Sequence, residues 1–132
     1  MEIRQRIDFS FASVELLVNG IVRVLFFGDQ SIGVPESREV NNAIGRLSGG
    51  KRARVLIMSQ PDTVFEFGAR EFSSSAEGQQ YTLGDALVIN SLPHKLLVNF
   101  YLKFDKPKNP SKAFDNEADA IAWLLSLNDS AQ

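Results

Sequence analysis

The sequence contains no cysteine, and it has a single histidine. The first absence excludes disulfides, thiolate metal sites and cysteine nucleophiles. The second excludes metal sites that are built from several histidines. We therefore expect neither a metal ion nor a cofactor, and the lack of cysteine is typical of a cytoplasmic protein.

An excess of basic charge is also missing, because 14 lysines and arginines stand against 16 acidic residues, for a net charge of −2. Nucleic-acid binding draws on positive charge, so we expect no nucleic-acid partner. No apolar run approaches the roughly 20 residues of a membrane span, and the first ten residues contain no apolar signal core. The sequence predicts a cytoplasmic protein without a membrane span.

The 132 residues fit one domain, which we place at residues 1–132. Apolar residues make up 44% and charged residues 23% of the chain, a balance that is typical of globular proteins. Ten phenylalanines against one tryptophan and two tyrosines predict a core that is rich in phenylalanine.

Strand signals begin near the N-terminus, where alternating apolar residues change phase near Ala12-Ser13 and predict a bulge or a break. Asn19-Gly20 lies between two apolar runs and predicts a hairpin. Three later runs are apolar at almost every position, as in strands that are covered on both faces. These runs are residues 21–27, 54–58 and 86–89, and residues 112–114 predict a short edge strand.

Helical spacing of apolar residues predicts about four helices between and after these strands. Proline stands in the first turn of two of them, at Pro35 and Pro93, and Asp115-Asn116 supplies a cap for the last. Strands that alternate with helices indicate the α/β class. We expect a mixed, mostly parallel sheet of about five strands, with an N-terminal antiparallel hairpin and about four helices.

Two hydroxyl residues, Ser59 and Thr63, follow a central strand, where open parallel sheets place ligand sites. A phosphoryl group or a protein partner bound there would meet backbone N–H donors. The alternative is a turn in which Thr63 and Glu66 form the capping box of a helix. Both interpretations are open from the sequence.

Catalytic motifs are absent, since no Gly-x-Ser-x-Gly nucleophile elbow occurs. His94 stands in the first turn of a helix, which is typical of a surface or capping residue. An enzyme would have to bring Ser59, Thr63, Arg70 and His94 within hydrogen-bond reach. We expect a protein that is not an enzyme.

The segment from Leu96 to Phe104 carries more apolar side chains than one face of a helix needs. Its surplus predicts an apolar pocket or a subunit interface. The residues that we expect to form it are Leu97, Phe100, Tyr101 and Phe104.

Three segments follow one another along the chain: LSGGKRARVLIMS, TVFEFGAREF and PHKLLVNFYLKFDKPKNPSKAFDNEADAIAWL. With this pattern the chain resembles a group of small bacterial proteins that are described as similar to the anti-sigma-factor-antagonist and sulfate-transporter (STAS) domain. The resemblance covers roughly residues 14–127, and its most specific motif is Phe104, Lys106, Pro107, Pro110, Phe114, Glu117, Ala120, Ile121, Trp123 and Leu124. It implies a mixed sheet flanked by helices, often in dimers. In true anti-sigma antagonists a phosphorylatable serine follows an aspartate, and residues 58–63 here lack that Asp-Ser-x-Gly form.

These observations predict a non-catalytic interaction or regulatory module of the STAS-like type. The alternative is a small carrier or sensor of an apolar, lipid-like ligand, because relatives of the STAS-like fold include lipid-carrying domains. The expected partners are a second copy in a homodimer, another protein or an apolar small molecule.

Overall fold

Eight strands form the framework of the molecule. Its structure is a computed structural model that describes residues 2–128. The strands are β1 (Ile3–Asp8), β2 (Ala12–Leu17), β3 (Val22–Phe26), β4 (Ser31–Ile32), β5 (Ala53–Ser59), β6 (Val64–Phe65), β7 (Thr82–Val88) and β8 (Ser111–Phe114). Six of them form one sheet in the order β1-β2-β3-β5-β7-β8, and β4 pairs with β6 in a small second sheet.

The main sheet is mixed and mostly parallel. Strands β1, β2 and β3 pair antiparallel, whereas β3, β5, β7 and β8 run parallel to one another. The α/β class with an N-terminal antiparallel hairpin is therefore confirmed. The sixth strand arises because the predicted phase change near Ala12-Ser13 is a break between two strands and not a bulge. The chain reverses there, and the amide of Phe9 donates to the carbonyl of Ala12 at 2.8 Å.

Five helices and one π-helical turn connect and cover the strands. They are α1 (Val34–Leu47), α2 (Phe67–Ser74), α3 (Ala76–Gln79), α4 (Leu92–Phe100), the π-helical turn (Tyr101–Asp105) and α5 (Glu117–Ser126). The predicted starts of α1, α4 and α5 are confirmed, because proline lies in the first turn of α1 and α4 and Asn116 caps α5. No helix within residues 2–128 combines the length and the apolarity that crossing a bilayer requires.

The helices divide the core into two layers. Helix α5 alone packs in the cluster on one face of the sheet, whereas α1 and α2 contribute to the cluster on the other face. Alternation along β5 distributes its side chains accordingly, since Val55 and Ile57 face α1 and Leu56 faces α5. Both faces of the central strands are covered, which explains their almost unbroken apolar runs.

The expected capping box of Thr63 and Glu66 is wrong. Strand β6 intervenes after Thr63, so that α2 begins only at Phe67. The hydroxyl of Thr63 instead donates to the carbonyl of Phe27 at 2.7 Å, and its side chain is buried. Thr63 therefore ties the chain after β5 to the end of β3.

Candidate functional site

A cavity of about 160 Å³ lies between the main sheet and the layer that contains α1, α2 and α4. Strands β3, β5 and β7 form its floor, and α4 with the π-helical turn forms one of its walls. Its apolar lining includes Val24, Phe26, Val40, Ile44, Val55, Ile57, Phe65, Ala69, Phe72, Leu87, Ile89, Leu97 and Val98. A largely apolar cavity with a few polar groups is the usual form of a small-molecule site.

The polar residues of the floor arise from the alternation of the strands. Ser59 follows Val55 and Ile57 on the cavity face of β5, and Asp85 precedes Leu87 on the same face of β7. In the parallel register Val55 lies opposite Asp85, four residues before Ser59. At about 3.3 Å per residue, the two polar positions are roughly 13 Å apart along the strands.

The first polar group joins Ser59 and His94 at the carboxyl ends of the strands. The imidazole Nε2 lies 2.7 Å from the carbonyl oxygen of Thr63, and Nδ1 lies 3.2 Å from the hydroxyl of Ser59. A carbonyl only accepts, so Nε2 carries a proton, and Nδ1 shares a hydrogen bond with the hydroxyl of Ser59. The ring of Phe65 packs edge-on against the imidazole, with 5.5 Å between the ring centroids.

The expectation that His94 lies at the surface or serves as a cap is wrong, because only 6% of the residue is exposed. Its backbone amide does receive the cap from Ser91, at 3.4 Å. The imidazole turns inward because the first turn of α4 faces the sheet. Residues Ser59, Thr63 and His94, which the sequence left unconnected, therefore meet at one end of the cavity.

The second polar group surrounds the carboxyl of Asp85 in the middle of β7. The hydroxyl of Ser111 donates to Asp85 Oδ1, and the side-chain amide of Asn109 donates to Gln79 Oε1 at 2.9 Å. Burial raises the pKa of Asp85 to about 6, and hydrogen bonds from Ser111 and Gln79 offset only part of that rise. This carboxyl therefore changes its charge close to neutral pH.

Tyr101 lies beside this group, on the cavity face of the π-helical turn. Burial raises the pKa of its hydroxyl above the ordinary value, and the negative charges of Asp85 and Asp105 raise it further. The hydroxyl consequently keeps its proton, and it remains available as a hydrogen-bond donor.

Arg70 lies at the edge of the cavity, between α2 and the π-helical turn. Its Nε is 2.8 Å from Asp105 Oδ2, and both side chains are largely buried. The guanidinium also lies between the rings of Phe67 and Phe100, at 4.6 and 4.5 Å from their centroids. These contacts fasten α2 to the segment that follows α4, and they close one side of the cavity.

The four residues that were expected to form an apolar pocket or interface divide between two surfaces. Leu97 and Tyr101 line the cavity. Phe100 and Phe104 point away from it, are 44% and 59% exposed, and contact each other at 4.5 Å between ring centroids. The division follows from helical spacing, because residues four apart share a face.

Sequence reasoning missed Asp85 and the residues bonded to it. The signal was an acidic residue directly before the apolar run of residues 86–89, where we placed the strand. Strand β7 in fact starts at Thr82, so Asp85 belongs to its interior. Gln79, Asn109 and Ser111 carried no signal, since they come from the end of α3, a loop and an edge strand that meet only in the folded chain.

The distance between Ser59 and His94 is that of a nucleophile and its base. The second nitrogen of the imidazole, however, is held by a backbone carbonyl and not by a carboxylate. Within residues 2–128 no group of three His, Asp or Glu side chains is placed to bind a metal ion. The expectation of a protein that is not an enzyme stays a prediction.

Comparison with curated proteins found no match. Among solved structures, the chain is similar to a crystal structure of a protein of unknown function from Arthrobacter sp. FB24. The two chains share 20% identity with a TM-score of 0.31, over 86% of this chain and 99% of the other. At these values the likeness carries no argument about fold or function.

A family model matches residues 15–128, which is most of the chain. That family has no assigned function, and the resemblance to STAS-like proteins stays a prediction. The match shows that the chain belongs to the family described as a domain of unknown function, DUF7793.

Proposed function

We propose that the protein binds a small, largely apolar molecule in the cavity beneath α4, and that it serves as a carrier or sensor of that molecule in the cytoplasm. The observation that carries the proposal is the cavity of about 160 Å³, which has an apolar wall and two separate polar groups. One end of the cavity, at Ser59 and His94, reaches the carboxyl ends of the parallel strands, where sheets of this kind place their ligands.

The size of the cavity argues for an occupant. Protein cores are packed as densely as organic crystals. Side chains around unfilled space lack packing partners on one side and lose the dispersion energy of those contacts. A ligand that fills the space restores these contacts. A dry cavity of about 150 Å³ is known to admit benzene, which sets the scale of the apolar part of the ligand.

The polar groups at the two ends of the cavity indicate which polar atoms the ligand carries. Ser59 and His94 offer hydrogen-bonding groups at one end, and Asp85 with Tyr101 offers an acceptor and a donor at the other. Arg70 is already paired with Asp105, so it is not free to neutralise an anionic ligand. We therefore propose a neutral molecule with an apolar body of about one ring or a short alkyl chain and one hydroxyl, carbonyl or amide group.

A sensor of this kind is a non-catalytic regulatory module, so the proposal joins the two functions that the sequence left open. A second copy of the chain and a protein partner stay predictions. The same holds for a phosphoryl or partner site at Ser59 and Thr63. For Thr63 a modification would first require the buried hydroxyl to leave the carbonyl of Phe27.

The first experiment is native mass spectrometry of gently purified protein, followed by thermal unfolding of the delipidated protein with benzene, n-hexanol and short fatty acids. We expect a reproducible added mass of one small molecule, and a higher melting temperature with the neutral ligands than with the fatty acids. Delipidated protein that none of these ligands stabilises would contradict the proposal.

A further inference from the structure

Helix α4 presents an apolar stripe to solvent on the side that faces away from the cavity. Leu92, Leu96 and Phe100 follow one another at intervals of four residues, and Phe104 extends the row through the π-helical turn. Their exposed fractions are 69%, 64%, 44% and 59%, respectively. Large apolar side chains that are exposed singly are ordinary, but a contiguous row marks an interaction surface.

Phe67 of α2 widens this surface. It is 62% exposed, and the guanidinium of Arg70 lies between its ring and that of Phe100. We call the five residues Phe67, Leu92, Leu96, Phe100 and Phe104 the apolar stripe. The contacts of Arg70 hold its aromatic members side by side, so that the surface is preformed.

Basic charge is concentrated around the apolar stripe. Four of the six lysines of the chain fall between residues 92 and 108, at Lys95, Lys103, Lys106 and Lys108. All four are exposed, and Lys95 lies 3.9 Å from the exposed Asp115. The only acidic residue in this segment, Asp105, is largely buried in its ion pair with Arg70.

The charge contrast with the rest of the molecule is large. Four lysines and one aspartate give residues 92–108 a formal charge of +3. Since the whole chain carries −2, the remaining residues carry −5. An apolar helix face bordered by lysines is the chemistry of a helix that lies in the interface of a membrane, and its lysines attract anionic lipids.

We propose that the apolar stripe and the four lysines of residues 92–108 dock the protein on an anionic lipid surface. Leu92, Leu96 and the phenylalanines would enter the boundary between headgroups and acyl chains, while the lysines remain at the phosphate level. The docking is peripheral, and it requires no ligand in the cavity. It therefore goes beyond the proposed function and does not rest on it.

The main competitor for this surface is a second copy of the chain. A two-fold contact through the apolar stripe would bring the same lysines of both copies together. Like charges that face each other across an interface are unfavourable. An anionic membrane satisfies the apolar side chains and the lysines at once, so the charges favour the membrane.

The test is cosedimentation of delipidated protein with phosphatidylcholine vesicles that either contain or lack phosphatidylglycerol. We expect binding only to the vesicles with phosphatidylglycerol, and release of the protein at high salt. Near an anionic surface each lysine contributes roughly a fivefold factor in affinity. Replacing Lys106 and Lys108 by glutamine should therefore weaken binding by roughly 25-fold, whereas Lys51→Gln, outside the segment, should leave it unchanged.

The apolar part is tested by Leu96→Ser and Phe104→Ser, with Leu125→Ser as the matched control. Leu125 is 51% exposed but lies on α5, behind the opposite face of the sheet. We expect both stripe variants to lose most of their vesicle binding and the control to keep it. Ala69→Leu, which fills the cavity, should bind vesicles like the original protein.

Three results would overturn the proposal. The first is no binding to the anionic vesicles, and the second is binding that Leu96→Ser and Phe104→Ser leave unchanged. The third is a dimer in solution that these two substitutions dissociate, since the apolar stripe would then be a contact between copies.

Discussion

Asp85 is a carboxyl that the fold buries in the middle of a parallel strand, and its ionisation links stability to pH. Its pKa is about 6 in the folded protein and about 3.9 in an unfolded chain. Between these two values the folded state holds a proton that the unfolded chain has lost. The contribution of Asp85 to stability is therefore complete below about pH 4, and it is lost as the pH rises through about 6.

Asp85→Asn should remove this pH dependence, because the amide still accepts from Ser111 but does not ionise. We expect the free energy of unfolding of the variant, relative to the original protein, to rise by roughly 2 kcal/mol between about pH 4 and pH 7. Urea unfolding at both pH values measures it. Asp115→Asn is the control, since the Asp115 side chain is 87% exposed. Parallel pH profiles for Asp85→Asn and the original protein would refute the burial of this charge.

Thr63 provides a second test, because its hydroxyl satisfies the carbonyl of Phe27 at a buried position. Thr63→Ala should lower the free energy of unfolding by roughly 1–3 kcal/mol, since it leaves a buried acceptor without a partner. Thr63→Ser keeps the hydroxyl and should recover part of the loss. Equal losses in the two variants would show that the hydrogen bond contributes nothing.

Helix α4 shows which elements the sequence can predict and which it cannot. Its start follows from local chemistry, because Ser91 and Pro93 are adjacent signals. The π-helical turn after it coincides with the ion pair of Asp105 and Arg70, a residue from a different helix. Strands β4 and β6 are equally non-local, since each has two residues and exists only through its partner.

A single substitution in the wall that α2 contributes tests whether the cavity is empty. Ala69 is buried and lines the cavity, so Ala69→Leu places its added atoms in empty space. Overpacking a filled core typically costs 1–3 kcal/mol. Here we expect a loss of less than about 0.5 kcal/mol, or a gain, by urea unfolding. A loss above about 1 kcal/mol would mean that the space beside Ala69 is already filled.

The whole molecule combines two features that lie on opposite sides of one helix. The inner face of α4 carries His94, Leu97 and the cavity, and its outer face carries the apolar stripe. The sequence predicted that residues 96–104 are too apolar for a single helix face, and it predicted a pocket or an interface as alternatives. The fold places Leu97 and Tyr101 in the cavity wall and leaves Phe100 and Phe104 exposed, where an interface stays a prediction.

The class of the fold was predictable because the strands and most helices have signals in the local sequence. The polar ends of the cavity were not, since Ser59 meets His94 across 35 residues and Asp85 meets Ser111 across 26. Such contacts depend on strand order and on which side of α4 faces the sheet. Neither the strand order nor the orientation of α4 can be predicted from the local sequence.

The most direct test of a ligand site in the cavity is an amide NMR titration of the delipidated protein with benzene. We predict saturable shifts that are confined to residues around the cavity, with the largest on α2, β7 and α4. Ala69→Leu should abolish them, and Ala118→Leu, which adds the same atoms at an exposed position of α5, should leave them intact. Shifts that never saturate, or that persist in Ala69→Leu, would contradict a ligand site in this cavity.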